Sequence, residues 1–250
     1  MPPVSYADPD WPMKRCPRCG LIFLEWVPGH DALYNALAWT KQYEKEGQKR
    51  LKTHPIFTRI DLMTRWRIGI LGDATPAGGL HAWAKPGPVL DVGCSTGKAF
   101  ASLRKGYIPY GIEIDVNAAD IADKSFQSRG GHVVNADAVS GLARWPEGFF
   151  TGVSLWSYLE HEAYPKEALQ AIRKAVRTDG IVLVKVPNYA CWNRVLLGGK
   201  WPGFRNPDHV QYFTPATLAR LARACGFSAK FRLYGRIPFN DNLYAILRPA

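Results

Sequence analysis

A chain of 250 residues with 47% apolar content and a formal net charge of +11 can bury a full hydrophobic core and suits one ordinary domain with an appendage. No stretch approaches the roughly 20 apolar residues that span a bilayer. The N-terminus lacks the basic and apolar segments of a secretory signal, and an odd set of five cysteines makes no disulfide framework. A cytoplasmic protein without a transmembrane segment is therefore expected. The charge is uneven. Residues 186–250 hold seven Arg and two Lys against two Asp, an excess of seven positive charges. Such a face either only solubilises or attracts an anionic partner: a phosphorylated or carboxylated substrate, a membrane surface, or nucleic acid.

In chain order, residues 1–75 read as an N-terminal extension. Cys16-Pro17-Arg18-Cys19-Gly20 has the form of half a zinc ribbon, a knuckle with a turn glycine after the second Cys. Structural zinc takes four ligands, and His30 and His54 do not stand at ribbon spacing. Cys16 and Cys19 are thus the only metal candidates, and zinc binding is not expected. The stretch from Asp31 to Leu71 is expected to form helices that cover the ligand or acceptor site.

Residues 76–250 read as the main domain. Short apolar runs at 88–92, 108–114, 132–135, 152–156 and 181–186 are expected strands, with two more at 228–234 and 243–248. Helices are expected between them, at 98–105, at 117–129 with Asn117 as N-cap, and at 166–176 with a turn at Thr178-Asp179-Gly180. Alternation at this length argues for parallel strands joined by right-handed crossovers. Nearly continuous apolar strands argue for helices on both faces. Ligands of such sheets sit at the carboxyl ends of the strands.

The sequence Asp91-Val92-Gly93-Cys94-Ser95-Thr96-Gly97-Lys98 follows the first of these strands. It is not a dinucleotide fingerprint, because Ser95 replaces the middle glycine. It is not a phosphate-binding P-loop either, because only three residues separate Gly93 from Gly97. An acidic residue at the strand end followed by G-x-x-x-G resembles the first motif of class I methyltransferases, D-x-G-x-G-x-G, with Ser95 in place of the central glycine. Two more acids end the next strands: Glu113 after Tyr110-Gly111-Ile112, and Asp137 in Asn135-Ala136-Asp137-Ala138. Taken singly, each carboxylate caps a turn or helix. Three in succession favour a shared ligand.

Further along, Phe150 to His161 is similar to the "FDxVxxxxxLEH" segment of small-molecule methyltransferases, with Thr151 in place of Asp. Asp179-Gly180, Val186-Pro187-Asn188, His209, Phe213-Thr214 and Gly226-Phe227 follow in the order seen in a branch that includes quinone-type, glycan-modifying and natural-product O-methyltransferases. This resemblance covers residues 85–250. It implies an α/β, Rossmann-like, seven-stranded and mostly parallel sheet with helices on both faces and an antiparallel last strand, preceded by the N-terminal helical extension.

The resemblance also implies S-adenosylmethionine as cofactor. Asp91 would face its ammonium, Gly93, Cys94, Ser95 and Gly97 its methionine and sugar, Glu113 and Ile114 its ribose, and Asp137 and Ala138 its adenine, with Trp156 beside them. His161 and His209 are the candidate general bases, since imidazole titrates near neutrality. The aromatic-rich loop 189–213 lies on the substrate side, as a lid over an acceptor or as cover for the sheet edge. Arg194 and Arg205 could meet an anionic group. The expected function is O-methylation of a small-molecule, glycan or lipid-linked acceptor. The alternatives are an RNA methyltransferase, for which no RNA module is recognisable, and a non-catalytic binding protein on a degenerate fold.

Overall fold

The structure, a computed structural model, describes residues 10–27, 75–231 and 240–250. The helices expected between Asp31 and Leu71, and the end of the strand expected at 228–234, lie outside the described residues. In chain order the elements are strands β1 (Met13–Arg15) and β2 (Ile22–Leu24), helix α1 (Pro76–Trp83), β3 (Gly87–Val92), β4 (Tyr107–Glu113), α2 (Val116–Gln127), β5 (His132–Asn135), α3 (Ala138–Leu142), β6 (Phe150–Trp156), α4 (Pro165–Ala175), β7 (Val176–Pro187), α5 (Trp192–Leu197), β8 (Gln211–Tyr212), α6 (Pro215–Ala224), β9 (Phe227–Phe231) and β10 (Asn242–Pro249).

Seven strands form one sheet in the order β5-β4-β3-β6-β7-β10-β9. The pairs from β5 to β7 are parallel, whereas β10 runs antiparallel to both β7 and β9. The chain winds outward in two directions from β3 and β6, so their carboxyl ends open at the switch point where such sheets bind ligands. The two faces are covered by different helices. One face packs Ala138, Leu142, Leu169, Ile172, Leu218 and Ala222, from α3, α4 and α6, on the strands. The other packs Leu80, Ala119, Ala122 and Phe126, from α1 and α2. Burial on both sides explains why β3, β6 and β7 read as nearly unbroken apolar runs rather than alternating ones.

Helix starts follow local chemistry. Thr75 caps α1 by accepting from the Gly78 amide at 3.1 Å, with Pro76 at the first helical position. Thr214 and Thr217 form a reciprocal capping box at α6. Helix α2 is capped by Asp115, which accepts from the Ala118 amide at 2.8 Å, and not by Asn117. The cap lies two residues earlier because the helix begins at Val116, just past the strand end, and Asp115 is the acid in reach of its first amides.

Two more expectations are corrected. No helix runs over 98–105; after the glycine bend only a single 3-10 turn, Lys98–Phe100, forms. The Phe100 amide bonds to Gly97 O and the Leu103 amide to Phe100 O, and the Arg129 guanidinium takes Phe100 O and Leu103 O. A partner from outside thus ties the carbonyls that a longer helix would use itself. Thr178-Asp179-Gly180 is not a turn but part of extended β7. A register shift between Phe150 and Gly152 accommodates the extra length. A Cβ on Gly180 would stand 3.0 Å from Thr151 O, so the glycine serves a close strand approach.

A second, three-stranded sheet joins β1, β2 and β8. The Cys-x-x-Cys segment forms the β1–β2 hairpin, and Ile22 pairs antiparallel with Tyr212. Beneath this sheet lies a third core of Met13, Ile22, Leu24, Tyr189, Trp201 and Tyr212. Among the described residues, no helix is long and apolar enough to cross a membrane.

Candidate functional site

Parallel strands align their ends. Asp91 pairs with Gly111, two residues before Glu113, and Glu113 pairs with Asn135, two residues before Asp137. The three acids therefore sit at the carboxyl ends of adjacent strands β3, β4 and β5. The bend after β3 is tight: Gly93, Ser95 and Gly97 all have positive φ, at 72°, 49° and 76°. The Gly93 and Cys94 amides both donate to Ile112 O, at 2.8 and 3.1 Å, clamping the bend to β4. Ser95 adopts the left-handed backbone that a glycine would take more cheaply. Its amide donates to Glu113 Oε2 at 2.7 Å. Glu113 Oε1 accepts from the Ile114 and Asp115 amides, so one carboxylate joins the bend to the end of β4. Cys94 is buried against Gly111, where a Cβ would meet its Sγ at 2.6 Å. Burial pushes its thiol up out of reactive range, and Cys94 is a packing residue.

The electrostatics separate the three acids. Asp91 is 4% exposed, and burial, with the nearby Glu113 charge, pushes its carboxyl up to about 7. Asp137 caps α3 by accepting from the Ser140 amide at 3.0 Å, and Ser140 holds its carboxyl below the ordinary range. Asp137 thus caps α3 and lies two residues past the end of β5. Ala138 follows it, buried at the first turn of α3. Tyr158 was not anticipated. Its ring stands against the bend, 3.1 Å from where a Gly93 Cβ would lie. Its hydroxyl donates to Glu162. Burial and then the charges of Glu162, Asp137 and Glu113 raise its phenol far above the ordinary range. The only cue to it was its place in the segment after β6. Trp156, at the end of β6, turns the other way: its ring lies 5.6 Å from Tyr244, beside Trp83 and Gly79.

A second cluster forms where the loop after β6 meets the loop before β8. His161 Nδ1 lies 2.8 Å from Asp208 O and 3.2 Å from its Oδ1. Arg205 pairs with the other carboxylate oxygen at 3.0 Å. The His209 ring packs edge-on against His161, with centroids 4.7 Å apart, and its Nδ1 lies 2.9 Å from Gly203 O. Glu160 is buried behind them, and its backbone carbonyl accepts from the Val210 and Gln211 amides. Burial alone would depress His161, but the Asp208 and Glu160 carboxylates outweigh it and hold its pKa above the ordinary value. His209 is depressed by burial and then by the charge of His161.

The two candidate histidines are thus in contact, with Asp208 as an orienting carboxylate that sequence reasoning missed. Glu160, His161 and His209 each bring one ligating atom within 4.8 Å of the others, so a cation could be held there. The cluster also has cations of its own, since Lys185 acts on both Glu160 and His209 and Arg205 pairs with Asp208.

The loop 189–213 resolves into parts. Tyr189, Trp201 and Tyr212 are buried in the core under the hairpin, so these rings build structure and do not cover an acceptor. Arg194 is spent on Tyr189, with Nε on its carbonyl and the guanidinium 4.2 Å above its ring. At the hairpin tip, the Gly20 amide bonds to Cys16 O with φ +76°. The Cys16 thiol is lowered chiefly by the Cys19 amide. Among the described residues, no third ligand joins Cys16 and Cys19 in a metal-sized group.

A family model described as a methyltransferase domain matches residues 72–229. The chain belongs to this methyltransferase domain family. Its fold is also that of solved methyltransferases. A S-adenosylmethionine-dependent methyltransferase from Archaeoglobus fulgidus aligns with a TM-score of 0.56 at 20% identity, over 77% of this chain and 94% of that one. The 1,6-didemethyltoxoflavin-N1-methyltransferase of Burkholderia thailandensis, solved with its substrate and S-adenosylhomocysteine, aligns with a TM-score of 0.54 at 15% identity, over 100% of both chains. No curated protein matches the sequence.

Proposed function

We propose that this methyltransferase binds S-adenosylmethionine across the ends of β3, β4 and β5 and transfers its methyl group to an oxygen of a small-molecule, glycan or lipid-linked acceptor. The observation that carries the cofactor reading is the row of Asp91, Glu113 and Asp137 on adjacent parallel strands, beside a bend with three positive φ angles. The fit is chemical as well as geometric. The charge that acts on buried Asp91 is that of Glu113, which leaves a place for an ammonium. Glu113, with three amide bonds, keeps one acceptor site on Oε2 for a ribose hydroxyl. Gly93 leaves room that a Cβ would lose against Tyr158.

When bound, S-adenosylmethionine supplies a methyl group on a sulfonium, open to in-line attack. The protein's part is to hold the acceptor in line and keep water out. His161, oriented through Nδ1 by Asp208, takes the acceptor's hydroxyl proton on its other nitrogen, and His209 packs its ring in place. The Burkholderia enzyme named above methylates nitrogen, so oxygen as acceptor atom rests on the histidine pair and not on the fold.

Glu113→Ala should weaken cofactor binding by about 1.5–3 kcal/mol, the worth of hydrogen bonds to a charged group. Calorimetry with S-adenosylmethionine measures it, and unchanged affinity removes Glu113 from the ribose site. A methyl-transfer screen across quinols, sugars, nucleotides and RNA, read as released S-adenosylhomocysteine, tests the acceptor. Turnover of RNA alone would overturn the small-molecule reading.

A further inference from the structure

Helix α5 is attached the wrong way round for a helix in water. Its polar residues hold it to the body: Asn193 Nδ2 donates to Asp241 Oδ2 at 3.2 Å, and Arg194 Nε donates to Tyr189 O. Its apolar residues point outward. Leu196 is 80% exposed, Val195 59% and Leu197 42%, and none of the six residues is buried. Single exposed aliphatic side chains are ordinary; three in a row on a helix whose polar side faces the protein mark an interaction surface.

The charge of the chain says what the helix meets. Residues 186–250 carry nine basic side chains and two acids, Asp208 and Asp241. Both acids are turned inward. Asp208 is buried in its pairs with Arg205 and His161. Asp241 accepts from Trp201 Nε1 at 3.0 Å, from Cys191 Sγ at 3.2 Å and from Asn193. Exposed Lys200 closes the turn that follows the helix, in a chain of net charge +11. We propose that α5 and the Gly198–Lys200 turn dock on an anionic lipid surface, the aliphatic residues entering the headgroup–acyl boundary and Lys200 meeting lipid phosphates. Aliphatic side chains beside basic ones are the pattern of interfacial helices, and negative surface potential attracts basic segments. The helix also exposes one ring, Trp192 at 51%; a single indole beside three aliphatic side chains suits a membrane interface, whereas base stacking takes a row of rings. The docking is independent of which acceptor the enzyme methylates.

The test is co-sedimentation of the full chain with vesicles of phosphatidylcholine alone and with phosphatidylglycerol added, beside light scattering in free solution. Retention should be at least tenfold higher on the anionic vesicles and should fall with salt. Leu196→Asp should abolish it, and Lys200→Glu should reduce it several-fold, both with unchanged S-adenosylmethionine affinity and melting temperature. Equal retention on neutral vesicles, or full retention of Leu196→Asp, overturns the proposal. So does a dimer that Leu196→Asp dissociates, which makes the face a contact between copies, or a lower melting temperature for that variant, which makes it a contact within the chain.

Discussion

The two polar clusters of this methyltransferase handle buried charge in opposite ways. At the ends of β3 and β4, Asp91 and Glu113 stand together, and the Asp91 carboxyl, buried and facing a second acid, is pushed up to about 7. Around His161, carboxylates and cations alternate, with Arg205 on Asp208, Asp208 on His161, and His161 beside Glu160. Among the described residues, the charge that acts on Asp91 is that of another acid, and a ligand's ammonium would balance it. The second holds cations of its own and has its geometry set before any ligand arrives. An unbalanced buried acid marks a place where binding energy is gained on loading, whereas a balanced network marks a group held ready for proton transfer.

The sharpest way to break this comparison is His161→Ala. As the base, its loss should lower kcat by about 10²–10⁴-fold with cofactor affinity unchanged. Full turnover in that variant would make the second cluster purely structural. Asp208→Asn should cost less, about tenfold in kcat, because Asp208 acts through His161. Removing the carboxylate that holds the His161 pKa up should also move the rising limb of the pH–rate profile to lower pH. A merely structural Asp208 would leave that limb in place.

The first cluster has its own pH signature. Asp91 must be ionised to pair with an ammonium, so calorimetry should show S-adenosylmethionine affinity rising with pH up to about 7. The affinity should fall again above about pH 8, as an α-amino group loses its proton. A flat profile would detach Asp91 from the ammonium. The linkage to folding has the opposite sign. A carboxyl whose folded pKa lies above its unfolded value destabilises the empty fold as pH rises between the two. Asp91→Asn should therefore raise the melting temperature of the unliganded protein at pH 8 while weakening cofactor binding. The smallest effect is expected at Ser95, whose φ of 49° carries a strain of about 1 kcal/mol. Ser95→Gly should stabilise the fold by about that amount in denaturant melts, without loss of cofactor affinity.

Much of the first cluster was legible in the sequence because it is built locally. A buried strand reads as an apolar run, a bend at its end reads as glycines, and an acid beside the bend sits where parallel strands align their tips. The local reading failed where a distant residue supplied the hydrogen bonds. The helix expected over 98–105 gave way to one turn once Arg129 took its carbonyls. The turn expected at Thr178–Gly180 became an irregular stretch inside β7, held on either side where Val176 and Ile181 pair with Phe150 and Gly152 of β6. Tyr158 escaped notice because nothing nearby in sequence shows that its ring lies against Gly93.

The sequence alone determined the alternation of strands and helices, the bend after β3 and the three acids at successive strand ends, since each depends on neighbours a few residues apart. Only the tertiary structure decided that the Cys-x-x-Cys hairpin adds to β8, that α5 turns its apolar side outward, and that His161, Asp208 and His209 meet across nearly fifty residues of chain. Contacts between distant segments leave no periodicity and no fixed spacing, because what brings them together is the burial and hydrogen bonding of the whole fold.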